Sequence, residues 1–158
     1  MIRGHYLMAQ ISKAQAARQG SFGFLIQTIA RQVDAQMKQE LKAIDVDFKL
    51  FANLMALLEE DGINQRRLGE KQGFPEYFTS RNVDALVQAG FVERRPDPSS
   101  RRSFLVFLTA EGRRKAKLLP PIIKKVNDKT LAELNDGERD QLVRLLQQTA
   151  GLPVGTSV

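Results

Sequence analysis

Residues 91–112 read Phe-Val-Glu-Arg-Arg-Pro-Asp-Pro-Ser-Ser-Arg-Arg-Ser-Phe-Leu-Val-Phe-Leu-Thr-Ala-Glu-Gly, and no other stretch restricts the fold as tightly. Two apolar, strand-like runs, residues 91–93 and 104–109, flank a loop of proline, serine and arginine, the pattern of a short β-hairpin. Arg94, Arg95, Arg101 and Arg102 cluster where that hairpin would turn. A basic hairpin directly after two short helices is a wing, and its arginines suit the narrow, electronegative minor groove of DNA.

The chain before the hairpin supplies those helices. Residues 1–20 are polar, basic and weakly patterned, and are expected to form a flexible arm. From Ser21, a potential cap, an apolar stripe runs through Phe22, Leu25, Ile26, Ile29, Val33, Met37 and Leu41 at helical spacing. Asp47 can cap a second helix carrying Phe48, Phe51, Leu54, Met55 and Leu58, with Asp61-Gly62 as its stop. Asn64 can cap a third helix over 65–72 that ends at Gly73. Pro75 suits the first turn of a fourth helix running to Ala89, with Gly90 at its end. Two short helices joined by a tight glycine-containing turn read as helix–turn–helix. After Gly112 a long helical pattern is broken near Leu119 by Pro120-Pro121. Asn135 and Glu138 then make a capping pair for a last helix that places Leu142, Leu145 and Leu146 on one face. The expected fold is mainly α: a winged helix–turn–helix with a two-stranded wing, flanked by N- and C-terminal helices.

Charge follows the same division. The chain of 158 residues has net charge +6, but residues 63–117 hold 12 Lys/Arg against 6 Asp/Glu, while the remainder holds 12 of each. A polyanionic partner is therefore expected at the middle of the chain rather than over its whole surface. The absence of cysteine excludes disulfides and thiolate chemistry, and the single histidine, His5, sits in the expected arm, so no metal or other cofactor is expected. Residues 1–20 lack the apolar core of a signal peptide, and no apolar run approaches the ~18 residues of a membrane span. A cytoplasmic location and no membrane partner are expected. No phosphate-binding glycine motif appears, and Glu59-Glu60-Asp61 closes a helix like an ordinary solvated end, so catalysis is not expected.

From Ile63 to Arg114 the chain resembles the DNA-binding core of the MarR family of bacterial transcriptional regulators. The resemblance rests on Leu68-Gly69-Glu70, on Arg81 followed by Val83-Asp84 and Leu86, and on Gly90-Phe91-Val92-Glu93-Arg94. It continues through Asp97-Pro98 with Arg101-Arg102 to Leu108-Thr109 and Gly112. It implies a single domain over 21–158, with a DNA-binding lobe at 63–112 and dimerisation helices at 21–46 and 113–150. It further implies a homodimer that sets two recognition helices in the major groove of double-stranded DNA and two wings in the minor groove. Such proteins commonly repress a nearby operon, and small aromatic or amphipathic molecules release many of them.

The first half of the recognition helix offers Glu76, Tyr77, Thr79, Ser80 and Arg81 to the bases. Arg81 can read guanine bidentately, clamp a phosphate, or pair with Asp84. Thr79 can contact DNA or be half-buried, Tyr77 can stack or pack, and Phe78 can meet thymine methyls or the third helix. In the wing, Arg102 matches the family arginine that enters the minor groove, with Arg101 beside it on the phosphates. Arg94 and Arg95 contact phosphate or pair with Glu93 and Asp97. Arg66, with Arg67 and Lys71, lies on the third helix, where contacts to the DNA backbone position the protein. Arg113, Arg114, Lys115 and Lys117 read as a solvated helix face.

Three departures from the family pattern stand out. Ser100 replaces an aspartate that usually pairs with the wing arginine, leaving Asp97 as a substitute. Gln72 stands where a core leucine is usual, and Phe74 occupies a cap position normally given to Asp or Ser. Leu118, Ile122, Ile123, Val126, Leu131, Leu142, Leu145 and Leu146, with the first-helix stripe, are the candidate dimer core. Phe24, Phe48 and Phe51 are candidate linings for an effector pocket, with a plain core role as the alternative. A winged-helix module docking an acidic protein partner is the competing function.

Overall fold

Among residues 12–155, which the computed structural model describes, eight helices accompany a three-stranded antiparallel sheet. Within the expected arm, Ser12 caps a short helix, α1 (Lys13–Gln19), by accepting from the Gln15 amide, and none of its residues is buried. Residues 1–11, with His5, lie outside the described residues. The apolar stripe forms α2 (Phe22–Lys42). Its C-terminal half enters the core through Met37 and Leu41, while Phe22, Leu25 and Ile29 remain exposed.

The next helix, α3 (Phe51–Glu59), starts later than the cap expected at Asp47. Asp47 instead closes a turn: its carboxylate accepts from the Lys49 amide, and its carbonyl from the Leu50 amide. A strand absent from the sequence reading, β1 (Ile63–Asn64), follows; two residues are too few to show a period-two pattern. The third helix, α4 (Gln65–Gln72), has the expected ends. Asn64 accepts from the Arg67 amide at 2.9 Å, and Gly73 takes φ +64°, the left-handed conformation that lets the Phe74 amide reach back to the Gly69 carbonyl. Pro75 stands at the N-cap of α5 (Glu76–Gln88).

The hairpin strands β2 (Val92–Asp97) and β3 (Ser100–Leu108) reach further than expected, leaving only Pro98 and Ser99 between them. Sheet order is β1-β3-β2, with Ile63 opposite Val106 and Val92 opposite Leu108. Thr109 then caps α6 (Ala110–Ala116) by accepting from Gly112 N, so this helix begins ahead of the glycine. The prolines start a new helix rather than kink an old one: α7 (Leu119–Thr130) carries Pro120 and Pro121 in its first turn, where their missing amides cost nothing. Asn135 and Glu138 form the complete capping box of α8 (Asp136–Thr149).

Leu41, Leu54, Leu57, Leu68, Val83, Leu86, Val106 and Leu119 are fully buried and join α2 through α7 into one core. Each contributes roughly 1.5–3 kcal/mol of burial. Val126 belongs to this core as well, since it is buried within the protomer, and is withdrawn from the dimer face. No residue of α8 is buried, although the helix carries Leu142, Leu145 and Leu146.

Candidate nucleic-acid interface

The two helices of the lobe approach closely enough that side-chain size decides their contact. A Cβ on Gly69 would lie 2.7 Å from Thr79 Oγ1 and 3.2 Å from the Phe74 carbonyl. Thr79 is itself fully buried in that contact and donates to the Pro75 carbonyl at 3.2 Å. The expectation that Thr79 reaches DNA is therefore corrected: its hydroxyl fills the α4–α5 seam. Phe78 is half-buried and stacks edge-on against Phe74, with ring centroids 4.9 Å apart, which explains an apolar pair at the start of a polar helix. Phe74 thus packs where the family places a cap, and no side chain caps α5. Glu76, Tyr77 and Arg81 are exposed on α5, and Ser80 is half-buried.

Gln72, at the usual leucine position, donates to Asn53 Oδ1 at 2.9 Å and to the Leu68 carbonyl at 3.1 Å. Asn53 is fully buried, so the polar pair joins α3 to α4 inside the core, with Asn53 Nδ2 and Gln72 Oε1 left without partners.

Ion pairs sort the basic residues of the lobe into two groups. On α4, Arg66 binds Glu70 at 2.9 Å, Arg67 binds Glu60 through two bonds of 2.8 and 3.0 Å, and Lys71 lies 3.3 Å from Glu59. The Arg67 guanidinium, followed by Lys71, holds the Glu60 carboxyl below the usual carboxylate range. These pairs are solvent-exposed and screened by water, so a phosphate can displace them at little cost. On β2, Arg94 pairs with Asp84 of α5, not with Glu93 or Asp97. Asp84 makes no ion pair with Arg81. Arg95 pairs with Glu93 and lies 4.4 Å above the Phe107 ring. Arg81, Arg101 and Arg102 have no ion-pair or hydrogen-bond partner among the described residues.

The free arginines of the wing sit on a local irregularity. Pairing runs regularly from Val92–Leu108 to Pro96–Phe104 and then jumps to Asp97–Ser100. Arg101, Arg102 and Ser103 are the residues left over, a bulge that bends the strand and re-aims its side chains. Asp97 fixes this tip. One carboxylate oxygen accepts from Ser99 N at 2.8 Å and Ser99 Oγ at 2.6 Å, and the other accepts from Ser103 Oγ at 2.8 Å. The Ser99 and Ser103 bonds lower the Asp97 pKa. Asp97 is therefore not the stand-in for the missing aspartate at Ser100: it holds the backbone, and Arg102 stays unpaired. The four arginines belong to strands and bulge rather than to the loop expected from sequence.

Beyond the wing, Asp61 accepts from the amides of Gly62 and Leu108 and pairs with Arg113, which ties the end of α3 to the root of β3 and to α6. Arg114 pairs with Glu111. Lys115 is buried and donates to the Ile44 carbonyl, which corrects its reading as part of a solvated face.

Phe24, Phe48 and Phe51 are not brought together as one lining. Phe48 and Phe51 pack on each other, with centroids 5.5 Å apart, at the edge of the core. Phe24 lies under Arg18 near the start of α2. A groove of about 690 Å³ opens elsewhere, between α2, α3, α7 and α8, with Ile29, Val33, Met55, Ile123, Leu142 and Leu146 among its walls and Asn127, Thr130 and Arg139 as polar groups. The sequence offered no single signal for it, because its walls come from four elements.

The closely packed α4–α5 pair, the three-stranded sheet and the basic hairpin define a winged helix–turn–helix protein. The MarR family profile matches residues 51–103. The HTH-type transcriptional regulator BilQ of Clostridium symbiosum is 29% identical over 111 residues, covering 70% of this chain and 77% of that protein. The crystal structure of a MarR transcriptional regulator from Methanosarcina mazei Go1 superposes with a TM-score of 0.76 at 26% identity, over 82% of this chain and 93% of that one. A mutant E. coli MarR complexed with operator DNA shares the fold, with a TM-score of 0.75 at 24% identity over 80% of this chain and 91% of its own. Residues 51–103 thus carry the MarR family's sequence pattern, on a fold similar to that of a MarR transcriptional regulator. Among the described residues no helix is long and apolar enough to cross a membrane.

Proposed function

We propose that this protein is a sequence-specific regulator of transcription that binds double-stranded DNA as a homodimer and represses from a near-palindromic operator. The observation that carries the reading is the sorting of the lobe's cations. Those on α4 and at the root of the wing are tied to carboxylates, while Arg81 on α5 and Arg101 and Arg102 at the wing tip are free for an anion. One free arginine on the recognition helix and two on a bulged wing suit a major groove and its neighbouring minor groove. Glu76, Tyr77 and Ser80 complete the base-facing set, and Arg66, Arg94 and Arg95 supply backbone contacts. An amphipathic effector would bind the groove between α2, α3, α7 and α8, which sets apolar walls beside polar groups such as Asn127, Asp128 and Arg139, and release the DNA.

The test is fluorescence anisotropy at physiological salt, with DNA from directly upstream of the protein's own gene and a shuffled control. Binding at least ~10³-fold tighter to the native fragment is expected. Arg102→Ala should weaken it several-fold and reduce the salt slope by about 1. An unchanged slope sinks the wing assignment. Equal, weak binding to both duplexes, together with a salt-sensitive acidic protein partner, would favour the docking-module reading instead.

A further inference from the structure

Phe104 is a large aromatic side chain left 54% exposed on an ordered strand among the described residues. Its position is informative. Residues opposite one another across β2 and β3 share a face, and Val92–Leu108, Arg94–Val106 and Pro96–Phe104 alternate onto the same one. At the root that face is core: Val92, Val106 and Leu108 are buried. In the middle it meets α5, where Arg94 pairs with Asp84. At its outer end stand Phe104 and the exposed Pro96, the last regular pair before the bulge that carries the unpaired Arg101 and Arg102.

We propose that Phe104, backed by Pro96, is an apolar shelf for the sugar face of the DNA strand that separates the two grooves. The proposal rests on the DNA-binding reading above. With α5 in the major groove and Arg102 in the minor groove, the strand between them must cross the part of the wing lying between α5 and the bulge, which is where Phe104 sits. Phe104 closes the last regular pair before the bulge, so it stands immediately behind Arg101 and Arg102 on the side toward α5. The free cations on both sides bring phosphates to this place, and an apolar ring between them meets the deoxyribose carbons rather than the charge. Phe104 would thereby set how far the wing descends, and so which base step Arg102 reaches.

The experiment compares wild type, Phe104→Ala, Phe104→Leu and Arg102→Ala on one duplex that binds wild type, over a range of salt. Removing roughly 60 Å² of apolar contact in each wing should weaken Phe104→Ala binding about tenfold per wing, and so about a hundredfold for a dimer engaging both. Its salt slope should stay at the wild-type value, because a phenyl ring displaces no counterion. Phe104→Leu should recover most of the affinity, and thermal unfolding of all three variants should match wild type. A Phe104→Ala affinity within twofold of wild type overturns the shelf while leaving the DNA reading intact. A lowered salt slope for Phe104→Ala also overturns it, since the ring would then be supporting the arginines and not touching DNA. If wild type prefers no duplex, or Arg102→Ala changes nothing, the DNA-binding reading itself fails and the shelf with it.

Discussion

Arg102 reaches the wing tip with no carboxylate to hold it, because Ser100 stands where MarR proteins commonly place aspartate and Asp97 is occupied by Ser99 and Ser103. The backbone of the tip is thus organised while the guanidinium is unpaired, and ordering its side chain on binding costs up to about 2 kcal/mol. Restoring the carboxylate should remove part of that cost in the free protein. Ser100→Asp is expected to tighten operator binding a few-fold at unchanged fold stability, as measured by anisotropy beside a thermal melt. Weaker binding would mean that repulsion between the new carboxylate and the phosphates outweighs pre-organisation. The Asn53–Gln72 pair makes the related point in the core: two amides replace apolar packing, and each leaves one polar atom unpaired.

At the scale of the element, the root of the wing depends on a close backbone approach as well as on Asp61. The N-terminal turn of α6 presses on the start of the hairpin so closely that a Cβ on Gly112 would lie 1.8 Å from the Phe91 carbonyl oxygen. The atom in the way is backbone, so no rotamer change relieves it. Gly112→Ala should cost about 3 kcal/mol or more, at the upper end for point substitutions, and chemical denaturation would read it directly. A loss below 1 kcal/mol would mean that α6 shifts freely against the wing. This contact also marks where the sequence was legible. Asn64 and Gly73, Asn135 and Glu138, and the stripe of α2 are local signals with local causes, and the elements they bound formed where expected. Thr79, Lys115 and the three phenylalanines turned on which neighbours a side chain meets after folding. Thr79 is a polar residue on a DNA-facing stretch until Gly69 lets α4 close over it. Lys115 sits in a run of exposed bases until the Ile44 carbonyl meets it. Asp84 pairs with Arg94 on another element and not with Arg81 one helical turn away, a choice the local sequence does not show.

At the scale of the molecule, the proposed homodimer has exposed apolar side chains to cover among the described residues. Phe22, Leu25 and Ile29 on α2, Leu118 before α7, Leu145 and Leu146 on α8, and Leu152 and Val154 beyond it are all exposed. Within the protomer α8 is only half-buried, through Leu142 and Val143, so its outer apolar side chains are left for a second surface. In a two-fold dimer that surface is the same set on the partner, so a substitution counts twice. Leu145→Asp should therefore dissociate the dimer without unfolding the protomer, since Leu145 is half exposed and outside the core. Sedimentation should shift from the dimer to the monomer mass while the helical circular dichroism stays at the wild-type level. DNA binding should fall at least tenfold, because two recognition helices about 34 Å apart can engage both half-sites only when joined. A dimer that persists would place the interface elsewhere on the chain. A monomer that keeps full affinity would mean that one lobe is enough, and the near-palindromic operator would have to be given up.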